Sequence, residues 1–142
     1  SFTGGSPAFA WDRFVFFVSA VGQVFQFDTA SGSIVSMVWL RHGFYTAMTA
    51  VNVVSGHFAY LGQHNPTPGS LYRLNLRDFS QANVEAFGIL ATDTFSFVAA
   101  YESFIFAGLN PSGRILLLRN DSVTETFKSV TTEDGSPTTA GT

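Results

Sequence analysis

Followed along its apolar and polar positions, the chain repeats one phrase three times. Phe14-Val15-Phe16-Phe17-Val18, Phe58-Ala59-Tyr60-Leu61-Gly62 and Phe104-Ile105-Phe106-Ala107-Gly108 are apolar runs, each followed by a short polar gap. A glycine-led second run then begins: Gly22-Gln23-Val24-Phe25-Gln26-Phe27, Gly69-Ser70-Leu71-Tyr72-Arg73-Leu74 and Gly113-Arg114-Ile115-Leu116-Leu117-Leu118. The leading phenylalanines stand 44 and 46 residues apart. A fixed period of roughly 20–50 residues marks a repeat architecture. The pattern predicts four short strands per repeat: 8–11, 14–19, 22–28 and 33–40, then 47–54, 57–62, 69–76 and 83–90, then 95–101, 104–109, 113–119 and 123–130.

Turn signals separate these runs. Asp12-Arg13, Ser55-Gly56 and Glu102-Ser103 fall at equivalent tight turns, and Thr29-Ala30-Ser31-Gly32, Arg77-Asp78-Phe79-Ser80 and Asn120-Asp121 fill the third gap of each repeat. Short polar gaps of this kind are antiparallel hairpin connections. Pro66, Pro68 and Pro111 all lie between the second and third runs, where no ladder N–H is needed. Gly69 and Gly113 close the same loops, and positive φ is expected at both. The chain therefore divides into an arm (1–7), three repeats (8–46, 47–91 and 92–130) and a Ser/Thr/Pro/Gly-rich linker or tail (131–142).

Composition narrows the class. Phenylalanine accounts for 16 of 142 residues and charged residues for 12%, about half the usual ~25%. Such a chain suits a largely buried sheet protein rather than long helices or disorder. The net charge is −3 with one lysine, Lys128, and scattered arginines, so no basic stripe exists and nucleic acid is excluded as an expected partner. No cysteine is present, which removes a disulfide scaffold and a thiol nucleophile. No apolar run reaches the ~20 residues of a membrane-spanning helix, so no membrane insertion is expected. The start at Ser1 and the lack of a signal peptide suggest a processed product, an excised piece or part of something longer.

Two architectures use repeats of this length with four strands each. A β-propeller arranges four-stranded antiparallel blades radially, whereas a β-trefoil closes three repeats into one domain. Repeat number favours the trefoil. The unbroken apolar texture of Phe14–Val18, Phe58–Leu61, Phe104–Ala107 and Ile115–Leu118 favours blades, which are covered on both faces. Phe58-Ala59-Tyr60-Leu61-Gly62 followed by Pro68-Gly69-Ser70-Leu71-Tyr72-Arg73-Leu74-Asn75-Leu76 resembles one propeller repeat unit, with its aromatic strand, Pro-Gly loop and Leu-Asn-Leu step. Gln23-Val24-Phe25-Gln26-Phe27-Asp28-Thr29-Ala30-Ser31-Gly32 is similar to the strand and Asp-Thr-x-x-Gly turn of bacterial surface-protein propellers. The resemblance spans roughly residues 8–130 and implies an all-β fold of about three four-stranded blades, while saying nearly nothing of function. Arg119-Asn120 stands in the third repeat where the first has Asp28-Thr29. Three blades do not close a ring of 4–8, so further blades of the same protein or additional copies of the chain are the expected partners.

Catalytic patterns are missing, and the chain reads as a non-enzyme with no cofactor. No Gly-x-Ser-x-Gly elbow, phosphate loop or dinucleotide fingerprint occurs. His42, His57 and His64 show no metal-ligand spacing, and no calcium loop is present. Asp12, Asp28, Glu102 and Asp121 recur at turns, where short acidic side chains commonly bond their own backbone. Trp11, Trp39, Tyr45, Tyr60, Tyr72 and Tyr101 are candidates for stacking on sugars, with core packing the commoner fate for aromatics on strands. Tyr45, beside Arg41 and His42, is the expected exposed exception. Asn120-Asp121-Ser122 is the only N-glycosylation sequon, because Pro66 spoils Asn65. Together these features predict a structural or interaction module in an extracellular or cell-surface glycoprotein or filament, with a glycan-binding lectin as the alternative.

Overall fold

The computed structural model describes residues 8–19, 21–40, 50–63, 68–84, 89–121 and 126–132. All the regular structure in them is β. The strands are β1 (Ala8–Trp11), β2 (Phe14–Val18), β3 (Gln23–Asp28), β4 (Ser33–Trp39), β5 (Ala50–Ser55), β6 (Phe58–Gln63), β7 (Leu71–Asn75), β8 (Gln81–Asn83), β9 (Thr94–Tyr101), β10 (Phe104–Asn110), β11 (Ile115–Asp121) and β12 (Thr126–Thr132). They form three separate four-stranded antiparallel sheets, each a meander in chain order. Each repeat thus keeps its four strands in its own sheet, and the trefoil alternative is not formed.

The first hairpin of every sheet is built on one backbone device. Asp12, Gly56 and Glu102 have φ of 55°, 60° and 53°, and each opens a two-residue link between paired strands: Trp11 with Phe14, Ser55 with Phe58, and Tyr101 with Phe104. Two-residue hairpin loops need left-handed residues to match the twist of the strands they join. The recurring acids at this turn therefore serve local geometry. Asp28 does so at the third gap of the first sheet, its carboxylate accepting the Ala30 N–H at 2.8 Å.

Several expectations need correction. β11 runs through Asn120-Asp121, expected as a turn, and β12 ends at Thr132, inside the segment 131–142 expected as a linker, because the β11–β12 ladder pairs Ile115 with Thr132 and Asp121 with Thr126. The fourth strand of the second repeat starts at Gln81 and ends at Asn83, earlier than the expected 83–90, of which residues 85–88 lie outside the described residues. Its turn closes early because Phe79 is left-handed (φ 60°), while the Phe79 N–H donates to the Asn75 carbonyl and the Asn75 N–H to that of Ser80. Gly113 has the expected positive φ, at 76°, but Gly69 does not. Glycine at 69 is required by close approach instead: a Cβ there would lie 2.6 Å from the Gln63 carbonyl oxygen and 3.2 Å from the Phe95 ring.

The sheets stack in sequence, with β1 against β5 and β5 against β9. One core cluster fills the first step, from Phe9, Phe16, Val18 and Val24 on one side to Ala59, Leu61, Leu74 and Leu76 on the other. A second fills the next step, from Phe58, Tyr60 and Leu71 to Phe95, Ile105, Ala107, Leu116 and Leu118. Polar links mark the same seams. The Asn52 amide donates to the Ala8 carbonyl (3.3 Å), the Gln81 amide to that of Trp39 (2.8 Å), and the Ser55 hydroxyl to that of Glu102 (3.2 Å).

Candidate functional site

The middle sheet shows what each face of a repeat is for. Along β6, successive side chains alternate between neighbours: Ala59 and Leu61 enter the cluster shared with the first sheet, Phe58 and Tyr60 that shared with the third. All six residues of β6 are buried. The pairing register carries each face across the sheet, because Ala59 opposes Leu74 and Leu61 opposes Tyr72. Every repeat accordingly has a preceding face and a following face.

Register maps these faces onto the outer sheets. Val15 opposes Phe27 and Phe17 opposes Phe25, so these four occupy in the first sheet the positions of Ala59, Leu74, Leu61 and Tyr72. Phe25 also pairs with Met37 and Phe27 with Ile34. This preceding face has no described sheet in front of it, and Ile34, Met37 and Trp39 on β4 are exposed. In the third sheet Phe104 and Phe106 occupy the positions of Phe58 and Tyr60, with Leu117 opposite Phe106 and Phe97 opposite Gly108. The Phe97 ring lies over Gly108, within 2.0 Å of where a Cβ would stand. Phe97, Tyr101 and Ile115 are exposed there, Tyr101 by 68%. Both ends of the stack thus present apolar sheet faces, the feature that marks interaction surfaces in soluble proteins.

Polar chemistry gathers instead at the loops between second and third strands. The Ser19 hydroxyl accepts the Gln23 N–H (3.1 Å) and the Gln63 amide oxygen the Ser70 N–H (3.1 Å). In the third repeat the partner comes from the incoming segment. Asp93, 0% exposed, accepts the N–H groups of Leu90 (3.0 Å) and Ser112 (3.1 Å) and the Ser112 hydroxyl (2.9 Å). Its backbone carbonyl takes the Gly69 N–H at 2.8 Å, tying the second repeat to the third. Burial pushes the Asp93 carboxyl up, but these donors and the nearby Arg114 charge outweigh it and hold the group below the ordinary 3.8. With both oxygens engaged in the interior, this carboxylate is a structural lock rather than a proton-transfer group.

The sequence candidates scatter. Arg41, His42, Tyr45 and His64 lie outside the described residues. Asn120 falls within β11, paired with Phe127, rather than in the expected turn, because the β11–β12 ladder runs on to Asp121 opposite Thr126. His57 sits in the β5–β6 turn with its ring 4.1 Å from that of Phe58. Among the described residues no group of three His, Cys, Asp or Glu side chains is placed to hold a metal. Tyr60 is fully buried, and Trp11 and Tyr72 pack against the first core cluster. Trp39 and Tyr101 are exposed, but on opposite ends of the stack. The sequence signals missed Asp93 and Gln63, since a lone polar residue at a strand boundary looks the same whether it is buried or not.

No family model and no curated protein matches the sequence. Solved structures do: 40 chains match, among them dihydro-heme d1 dehydrogenase NirN in complex with DHE, a β-propeller, at 22% identity and a TM-score of 0.60. The alignment covers 86% of this chain and 26% of that one, so this chain spans about a quarter of its length. The three repeats are propeller blades. A likeness at this identity concerns the fold and leaves the neighbour's activity with the neighbour. The four-stranded sheets are accordingly blades 1, 2 and 3 in chain order.

Proposed function

We propose that this chain is a non-enzymatic structural or protein-interaction module of a β-propeller, completed by further blades of the same protein or by additional copies. The observation that carries this reading is the register match between the open faces and the buried faces of blade 2. Val15 and Phe27 stand where Ala59 and Leu74 are buried, and Phe106 stands where Tyr60 is buried. Soluble monomers rarely expose contiguous apolar patches beyond a few hundred Å², and the open faces carry Ile34, Met37 and Trp39 at one end and Phe97, Tyr101 and Ile115 at the other. The setting we infer is a larger extracellular or cell-surface glycoprotein or filament assembly. The Asn120 sequon and the Ser/Thr/Pro/Gly-rich segment 131–142 support it.

The test compares the native particle with the 15.4 kDa of this chain. The native particle is expected to be larger, and the isolated chain to bind an apolar-surface dye strongly. A stable 15.4 kDa monomer that binds no dye would sink the reading, as would a bound cofactor at the inner strands. Expression through a secretory pathway should add a glycan that Asn120→Gln removes; an unmodified chain would contradict the extracellular setting. The lectin alternative requires an exposed aromatic at the same place in each repeat. Trp39 ends a fourth strand and Tyr101 a first strand, so these two do not supply it.

A further inference from the structure

The three blades differ in how their outer strands end the sheet. β1, β5 and β9 pack against one another, so β4, β8 and β12 stand at the far edges of their sheets among the described residues. β8 is only three residues long and β12 carries Lys128. Short edges and lysines both keep a sheet from adding strands. β4 has neither protection. Its seven residues, Ser33-Ile34-Val35-Ser36-Met37-Val38-Trp39, hold no charge, proline or glycine, and Ile34, Val35, Met37 and Trp39 are exposed.

The ladder decides which backbone groups β4 turns outward. The Leu40 N–H donates to the Gly22 carbonyl at 2.8 Å, and bonded pairs alternate along an antiparallel ladder. Ser36 and Val38, opposite Gln26 and Val24, therefore bond inward, and Met37 and Trp39 direct their N–H and C=O groups out of the sheet. Further back the register passes over Val35, a bulge that bends the edge. The stretch open to a further strand is thus Met37–Trp39, and it is occupied at one point. The Gln81 amide of blade 2 donates to the Trp39 carbonyl at 2.8 Å. Gln81 opposes Leu74, which puts its side chain on the blade 2 face turned towards blade 1.

We propose that Gln81 is a guard that keeps β4 from pairing with β4 of a second copy. Antiparallel self-pairing centred on Val38 sets Met37 of each copy opposite Trp39 of the other, and half of its ladder bonds end on the Trp39 carbonyls. Both carbonyls must shed Gln81 first. A second β4 is the strand excluded, because an uncharged strand meets no like charge in its twin and apolar side chains oppose one another across the pair. Twofold pairing of one patch is also the ordinary geometry of a dimer.

Sedimentation of the whole chain over a concentration series tests the guard. Gln81→Ala is expected to tighten self-association at least about fivefold over the native chain, the effect of sparing two ordinary hydrogen bonds. Adding Met37→Pro removes an outward N–H, leaves the inward ladder in place and should abolish the gain. Met37→Ala keeps the N–H and should retain it. Hydrogen exchange reads the same edge without altering it: the Met37 amide should exchange quickly in the native chain and slow with concentration in Gln81→Ala. No gain in Gln81→Ala, a gain that Met37→Pro leaves intact or Met37→Ala also removes, or a Met37 amide that stays fast in the associated variant would overturn the proposal. Native chains already associated through contacts sensitive to Met37→Pro would overturn it too, since the edge would then be open with Gln81 in place. Association through the open blade faces leaves the Met37 amide fast, so this proposal and the module reading above fail separately.

Discussion

The second strands of blades 1 and 2 have the same texture and different fates. Phe58–Gln63 is buried at every position, whereas in Phe14–Val18 only Phe16 and Val18 are buried and the other three are half-buried. Composition does not separate them, since Phe14-Val15-Phe16-Phe17-Val18 is the more aromatic of the two. What differs is the number of neighbours: blade 2 lies between two sheets, and blade 1 has a described neighbour on one face only. An unbroken apolar strand thus records a capacity for two-sided burial. Whether that capacity is used is a property of the stack.

The sharpest way to break the comparison is paired truncation. Leu61→Ala in the full core should cost about 2–5 kcal/mol, as buried leucine truncations do. Phe17→Ala, at the register-equivalent site on the open face, should cost less than about half of that despite deleting a larger side chain. Urea unfolding of both variants checks it, and equal costs would show that blade 1 is covered in this chain. A glycine pair comes next. Gly69→Ala drives a methyl into the Gln63 backbone carbonyl and should cost about 1–3 kcal/mol, the usual range for overpacking. Gly108→Ala meets the Phe97 ring first, 43% exposed and able to swing aside, so its Tm should fall by less.

Asp93 sharpens the comparison through pH. Asp93→Asn places an N–H2 group where the carboxylate accepted hydrogen bonds and should cost about 1–3 kcal/mol at neutral pH. Because the folded group titrates below its ordinary value, its contribution is fully present above 3.8 and is lost as the pH falls through the lower folded value. The stability gap between the native chain and Asp93→Asn should therefore narrow under acid, as read by urea midpoints. A gap independent of pH would mean that the carboxylate charge contributes nothing. The exposed Asp78 is also held low, first by the Ser80 N–H, yet Asp78→Asn should shift the same curve less.

The smallest effect belongs to the Arg13–Asp28 ion pair, 3.2 Å apart with the arginine 59% exposed. Arg13→Ala should cost about 0–1 kcal/mol, in line with exposed pairs. Arg13 also lies over the Phe14 ring at 5.2 Å, so a salt-independent remainder is expected. Complete loss of the effect in high salt would assign all of it to the ion pair.

Much of the fold was legible because its signals are short-ranged. Alternating faces, two-residue turns and prolines confined to loops act over a handful of residues, and Asp12, Gly56 and Glu102 show the turn device recurring at the repeat period. The early start of β8 was not legible, because Phe79 adopts a left-handed turn that its residue type does not advertise. Gly69 looked like a turn glycine for the same reason: sequence shows that a side chain is missing, and only the neighbouring Gln63 and Phe95 show why. The candidate interaction faces were legible as apolar strands but not as faces.

By itself, then, the sequence determined the threefold strand pattern, the hairpins and the alternation that gives each sheet two apolar sides. Those follow from backbone sterics and side-chain period, which are local. Tertiary structure alone decided that Leu61 is buried while Ile34 and Tyr101 remain exposed, and that Asp93 is an interior lock. Burial depends on which sheet arrives opposite, and within the stack that partner lies some 44 residues away in the chain.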